Sequence, residues 1–77
     1  MDQKLIETAR TVSSMLEHLS ADSVWAHRAS GMRGSLLRIL EHMETGRPSP
    51  HDVGELDRLV QAGFDILEKA AREIRAK

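Results

Sequence analysis

SPHDVGELDRLVQAGFDILEKAAREI, residues 49–74, is the stretch whose reading decides the fold. Ser49 can cap a helix, Pro50 suits the first helical position, and Asp52 stands where a capping box places its acidic partner. Beyond them Val53, Leu56, Leu59, Val60, Phe64, Ile66, Leu67, Ala70, Ala71 and Ile74 recur at helical steps. A helix over about residues 50–76 follows. Asp65 with Lys69 and Glu68 with Arg72 are spaced as supporting pairs, and acidic residues lead while basic ones trail, which suits the helix dipole. The apolar face is wide enough to pack against two neighbours.

Those neighbours lie upstream. Trp25, Ala29, Met32, Leu36, Ile39, Leu40 and Met43 form a stripe that predicts a second helix over about 21–45. Gly46 is expected as the left-handed residue after its last turn, and Pro48 prevents continuation. Ser20 is expected as its cap, with Leu19 and Val24 at the positions of a hydrophobic staple. Before it, Leu5, Ile6, Ala9, Val12, Leu16 and Leu19 predict a first helix over about 2–19, with Lys4, Glu7, Arg10, Thr11, Ser14, Glu17 and His18 on its other side. A single bent helix in place of the first two is the alternative; Ser20 and Asp22 favour a break. The expected architecture is all-α: an antiparallel three-helix bundle of two long helices and a shorter N-terminal one, or a long hairpin with the first helix packed across it. Residues 1–77 are read as one domain, without internal repeats.

Composition limits what such a domain can be. The chain has 77 residues, 40% hydrophobic and 30% charged, which suits an ordered, soluble helical domain. A domain this size buries only about 60% of its unfolded surface and is marginal alone. It has no Cys, so disulfides and thiolate metal sites are excluded, and self-association is the expected support. A net charge of −1 argues against a domain devoted to nucleic-acid binding. Met1-Asp2-Gln3-Lys4 leads into the first apolar pattern without a basic region and apolar core, and no stretch reaches the ~20 apolar residues of a membrane span. A cytoplasmic setting is the expectation.

The residue pattern offers little catalytic chemistry. His18, His27, His42 and His51 lie at no three- or four-residue spacing, so no helical metal pair and no metal or other cofactor is expected. There is no Gly-x-Ser-x-Gly elbow and no phosphate loop. The unusual segment is His27-Arg28-Ala29-Ser30-Gly31-Met32-Arg33-Gly34-Ser35. Two mid-helix glycines cost about 1 kcal/mol each relative to alanine. Ala26, Ser30 and Gly34 stand at steps of four, so that flank is expected either to receive a neighbouring helix closely or to form, with Gly31 and Arg38, a notch for a partner. Arg28, Arg33 and Arg38 make the half-helix locally basic. Arg33 borders the apolar stripe and is expected to pair with a carboxylate on another helix. The three arginines together could instead bind an anion or a nucleic acid, although Trp25 and Phe64 both lie on core stripes and leave no stacking platform.

Ala26-His27-Arg28-Ala29-Ser30-Gly31 resembles the phosphoacceptor helix of histidine-containing phosphotransfer domains, in which Gly follows an exposed His by four residues. The resemblance covers about ten residues and implies His27 as phosphoacceptor, with Gly31 leaving room for a response regulator. Ser30 replaces that family's usual Lys, and the chain is shorter than its four-helix core. The segment also looks like the dimerisation helices of histidine kinases, but Arg28 stands where they carry an acidic residue. The function expected from the residues themselves is non-catalytic: a protein–protein interaction and oligomerisation module acting through helix packing. Its partner would be another protein or a second copy of the chain.

Overall fold

The computed structural model describes residues 3–46 and 49–76. It contains α1 (Gln3–Glu17), α2 (Ala26–Thr45) and α3 (Pro50–Ala76), each packed on the other two. The molecule measures 45 × 16 × 16 Å. That long axis is set by α3, since 27 residues of helix reach about 40 Å. The 15 residues of α1 reach only about 22 Å.

Three apolar stripes meet along the axis. Val12, Leu36, Leu56 and Val60 are the largest fully enclosed side chains. Ile6, Ala9, Leu16, Ala29, Leu40, Met43, Ile66 and Ala70 complete the core. Leu5, Leu19, Trp25, Met32, Ile39, Val53, Leu59 and Leu67 pack against it from its margins. Polar contacts give the order of the elements. Arg10 pairs with Glu44 and Arg33 with Glu17, so early α1 meets late α2. His42 meets Asp52, and the Trp25 ring meets Lys69, so early α2 meets late α3. Each helix turns back along the one before it.

The start of α3 forms as its residues require. The Ser49 N–H donates to Asp52 Oδ2 at 2.9 Å, and the Asp52 N–H donates to Ser49 Oγ at 3.3 Å. This is a reciprocal capping box, with Pro50 in the first turn. The Asp65–Lys69 and Glu68–Arg72 pairs also form.

The start of α2 differs from expectation. Residues 18–25 form turns, so two separate helices replace the bent-helix alternative, and α2 begins five residues later than residue 21. Ser20 Oγ accepts the Asp22 N–H at 3.2 Å as a cap would, yet it caps no helix. The cause lies in α3. Glu73 accepts the Ser23 hydroxyl at 3.2 Å and the Val24 N–H at 3.3 Å. These bonds hold the connection in turns, with the Ser23 and Ala26 N–H groups donating three residues back. Val24 is 78% exposed, so the expected staple with Leu19 does not form. Trp25 becomes the residue before the first turn, and its side chain makes no cap bond. Its half-buried ring lies under Arg28 (5.7 Å) and Lys69 (5.2 Å), within cation–π range.

Gly46 ends α2 in extended rather than left-handed conformation, at φ −118° and ψ −164°, and its N–H donates to the His42 carbonyl. The expected helix start at Asp2 and the stop at Pro48 lie outside the described residues.

Candidate functional site

The segment singled out by sequence lies on the outer side of α2. His27, Ser30, Gly31, Gly34 and Arg38 are exposed, and Ala26 is half-buried. A methyl group added at Gly31 or Gly34 would meet no atom within 4 Å outside its own helix backbone. No other helix approaches this flank, which overturns its expected use as a tight internal contact. The close approach occurs elsewhere. A Cβ on Gly63 would sit 2.6 Å from Val12 Cγ1, 3.7 Å from Leu16 Cδ1 and 3.9 Å from Leu36 Cδ1. Gly63 is thus the glycine that lets α1 and α3 meet. Its place within the Leu56, Val60, Leu67 and Ala70 stripe was the sequence signal for it.

The three arginines do not form one patch. Arg28 lies over Trp25, and Arg33 reaches Glu17 at 3.7 Å, the inter-helix pair its position predicts. Arg38 borders an α2/α3 groove with Ile39, His42 and Leu59. An anion would therefore meet one guanidinium at a time. Among the described residues no cluster of His, Asp or Glu could hold a metal ion, and no helix is long and apolar enough to cross a membrane.

Two surfaces remain for consideration. The first is the outer edge of the α1/α3 seam. Gly63 meets Val12 and Leu16, and helical geometry then sets Met15 and Phe64 on the outside of that same seam. They are 47% and 43% exposed. Ile74 is 68% exposed farther along α3, past the last turn of α1. The second is a groove between α1 and α2, lined by Ser13, Leu37 and Glu41 among others. Ser13 is buried and its Oγ has no hydrogen-bond partner. Sequence reasoning passed over Ser13, although Ile6, Ala9, Ser13 and Leu16 share one helical line.

Among the described residues one titratable group is clearly perturbed. The Ser49 backbone N–H beside Asp52 holds its carboxyl below the ordinary carboxylate range, with lesser help from the Ser49 hydroxyl and His42 and against partial desolvation. This perturbation belongs to the helix cap, not to a catalytic arrangement.

Compared with protein-family models, curated proteins and solved structures, the chain matches none at a significant level.

Proposed function

We propose that this chain is a non-catalytic helix-packing module whose partner is a second copy of itself. The observation that carries the reading is the apolar surplus of α3. Of its wide face, Leu56, Val60, Ile66 and Ala70 are buried and Leu67 is half-covered, while Phe64 and Ile74 stay open to solvent, with Met15 beside Phe64's seam. A 15-residue α1 is too short to cover a 27-residue α3. Exposed apolar side chains grouped on one seam, as Phe64 and Met15 are, mark contact surfaces more often than isolated ones do.

Charge order favours a second copy over an unrelated partner. On the outward side of α3, Asp57 precedes Phe64, and Arg72 and Arg75 follow it. Two copies of α3 packed antiparallel about Phe64 set each Asp57 near the other copy's Arg75, while Arg72 is held by Glu68 of its own helix. A two-fold interface demands that self-complementarity. Only a few apolar side chains per copy add their burial to the interface, against the association cost that every dimer carries. The dimer is therefore weak and concentration-dependent.

Sedimentation equilibrium from micromolar to millimolar chain tests this. The expected result is a rising average mass that Phe64→Asp abolishes and Asp57→Arg weakens. A wild-type chain that stays monomeric throughout refutes the proposal. The phosphoacceptor alternative has an exposed His27 beside an open Gly31 in its favour. Ser30 stands where the family it resembles usually carries Lys, and self-association carries the proposal.

A further inference from the structure

Met15 differs from the other described methionines. Met43 is buried and Met32 is half-buried against the core, whereas Met15 is 47% exposed. Its place follows from the helix. Val12 and Leu16 turn towards Gly63 of α3, and Met15 comes out on the edge of that seam, on the side of Phe64. The chain has no Cys, so its thioethers are the sulfur groups that a peroxide can oxidise. An open thioether thus lies on the surface assigned to self-association.

Oxidation there transfers one oxygen atom. The Met15 sulfur attacks a peroxide oxygen, the O–O bond breaks, an S–O bond forms, and hydrogen peroxide leaves as water. Sulfur gives up two electrons and the peroxide takes them. The product is a sulfoxide, polar and chiral where the thioether is apolar and flexible. Water satisfies its oxygen in the single chain, and burial against an apolar partner removes that water at a cost. A two-fold interface receives one Met15 from each copy, so the cost is met twice. Two thiols acting through a sulfoxide reductase reverse the step and leave the thioether, a disulfide and water.

We propose that Met15 is an oxidation site at which peroxide loosens self-association and sulfoxide reduction restores it. The inference rests on the self-association reading and names the regulation of that same surface. Peroxide acts on the free chain, where Met15 is open, and the dimer shields it. Each oxidised chain lowers the dimer fraction, and the chains released expose further Met15 side chains.

The test uses the full chain, treated with hydrogen peroxide and then cleared of it. Peptide mass spectrometry reads the oxidised sites and sedimentation equilibrium reads the association. Met15 should gain its oxygen before Met32 and Met43. Each sulfoxide should raise the dimer Kd about fivefold, and so about 25-fold when both copies carry it. Far-ultraviolet circular dichroism should stay unchanged, since Met15 lies outside the core. Met15→Leu keeps an apolar side chain of similar volume, so it should dimerise as wild type does and ignore peroxide. That variant retains Met1, Met32 and Met43 and so assigns the effect to position 15. An untreated wild-type chain that never dimerises removes the self-association reading and this inference with it. Untreated dimerisation that full oxidation of Met15 leaves unchanged overturns the inference alone. Equal peroxide sensitivity in Met15→Leu, or oxidation of Met32 or Met43 ahead of Met15, overturns it in the same way.

Discussion

Alanine at Gly63 sets two effects of opposite sign against each other. Glycine inside a helix costs about 1 kcal/mol relative to alanine, so the substitution gains that amount wherever the new methyl has room. At Gly63 it has none, because the Cβ would stand 2.6 Å from Val12 Cγ1. Val12 is fully buried, and a β-branched residue in a helix holds one χ1 rotamer in about 90% of cases. Its methyl cannot swing aside, so α1 must move away from α3. Overpacking of this kind costs about 1–3 kcal/mol. The net expectation is a loss of roughly 1 kcal/mol. The same change at Gly34 or Gly31 meets nothing and keeps the full gain of about 1 kcal/mol. In a domain of 77 residues, 1 kcal/mol moves Tm by about 4–8 °C. Gly34→Ala should therefore melt that much higher than wild type, and Gly63→Ala lower by a similar margin, when followed by far-ultraviolet circular dichroism and urea titration. Equal gains at both positions would refute the assignment of Gly63 as the packing glycine.

Other expectations concern the cap and the connection. Ser49→Ala should cost about 1 kcal/mol in urea unfolding, the usual worth of a serine cap. Because the folded Asp52 carboxyl titrates below its unfolded value, its contribution is complete above about pH 4 and is lost as pH falls through the lowered value. The stability gap between wild type and Asp52→Asn should accordingly close in acid, and a gap constant down to the acid limit would contradict the cap's charge dependence. Glu73→Ala should release the Ser23 hydroxyl and the Val24 N–H, so hydrogen exchange at Val24 should quicken while exchange at Leu36 and Leu56 changes little. Unchanged protection at Val24 would show that Glu73 does not hold the connection.

Much of the architecture is written in local chemistry. Ile6, Ala9, Val12 and Leu16, then Leu36, Leu40 and Met43, then Leu56, Val60 and Ile66 announce three buried stripes through their spacing. The α3 cap is readable because Ser49 and Asp52 satisfy each other within one turn. A periodicity or a capping box depends on residues a few positions apart, so the sequence carries it whole.

What only the tertiary structure decided depends on partners far away in the chain. Ser20 has the residue type of a cap, but Glu73, more than fifty positions on, holds residues 23 and 24 in turns and delays α2 to Ala26. Gly31, Gly34 and Gly63 read alike as helical glycines, and only the approach of Val12 distinguishes the last. Ser13 lies on a legible apolar line, but the groove it faces exists only where Leu37 and Glu41 of another helix come alongside. Helix formation is fixed by hydrogen bonds over one turn. Which face of a helix is covered, and by which atoms, is fixed by the relative lengths and positions of all three.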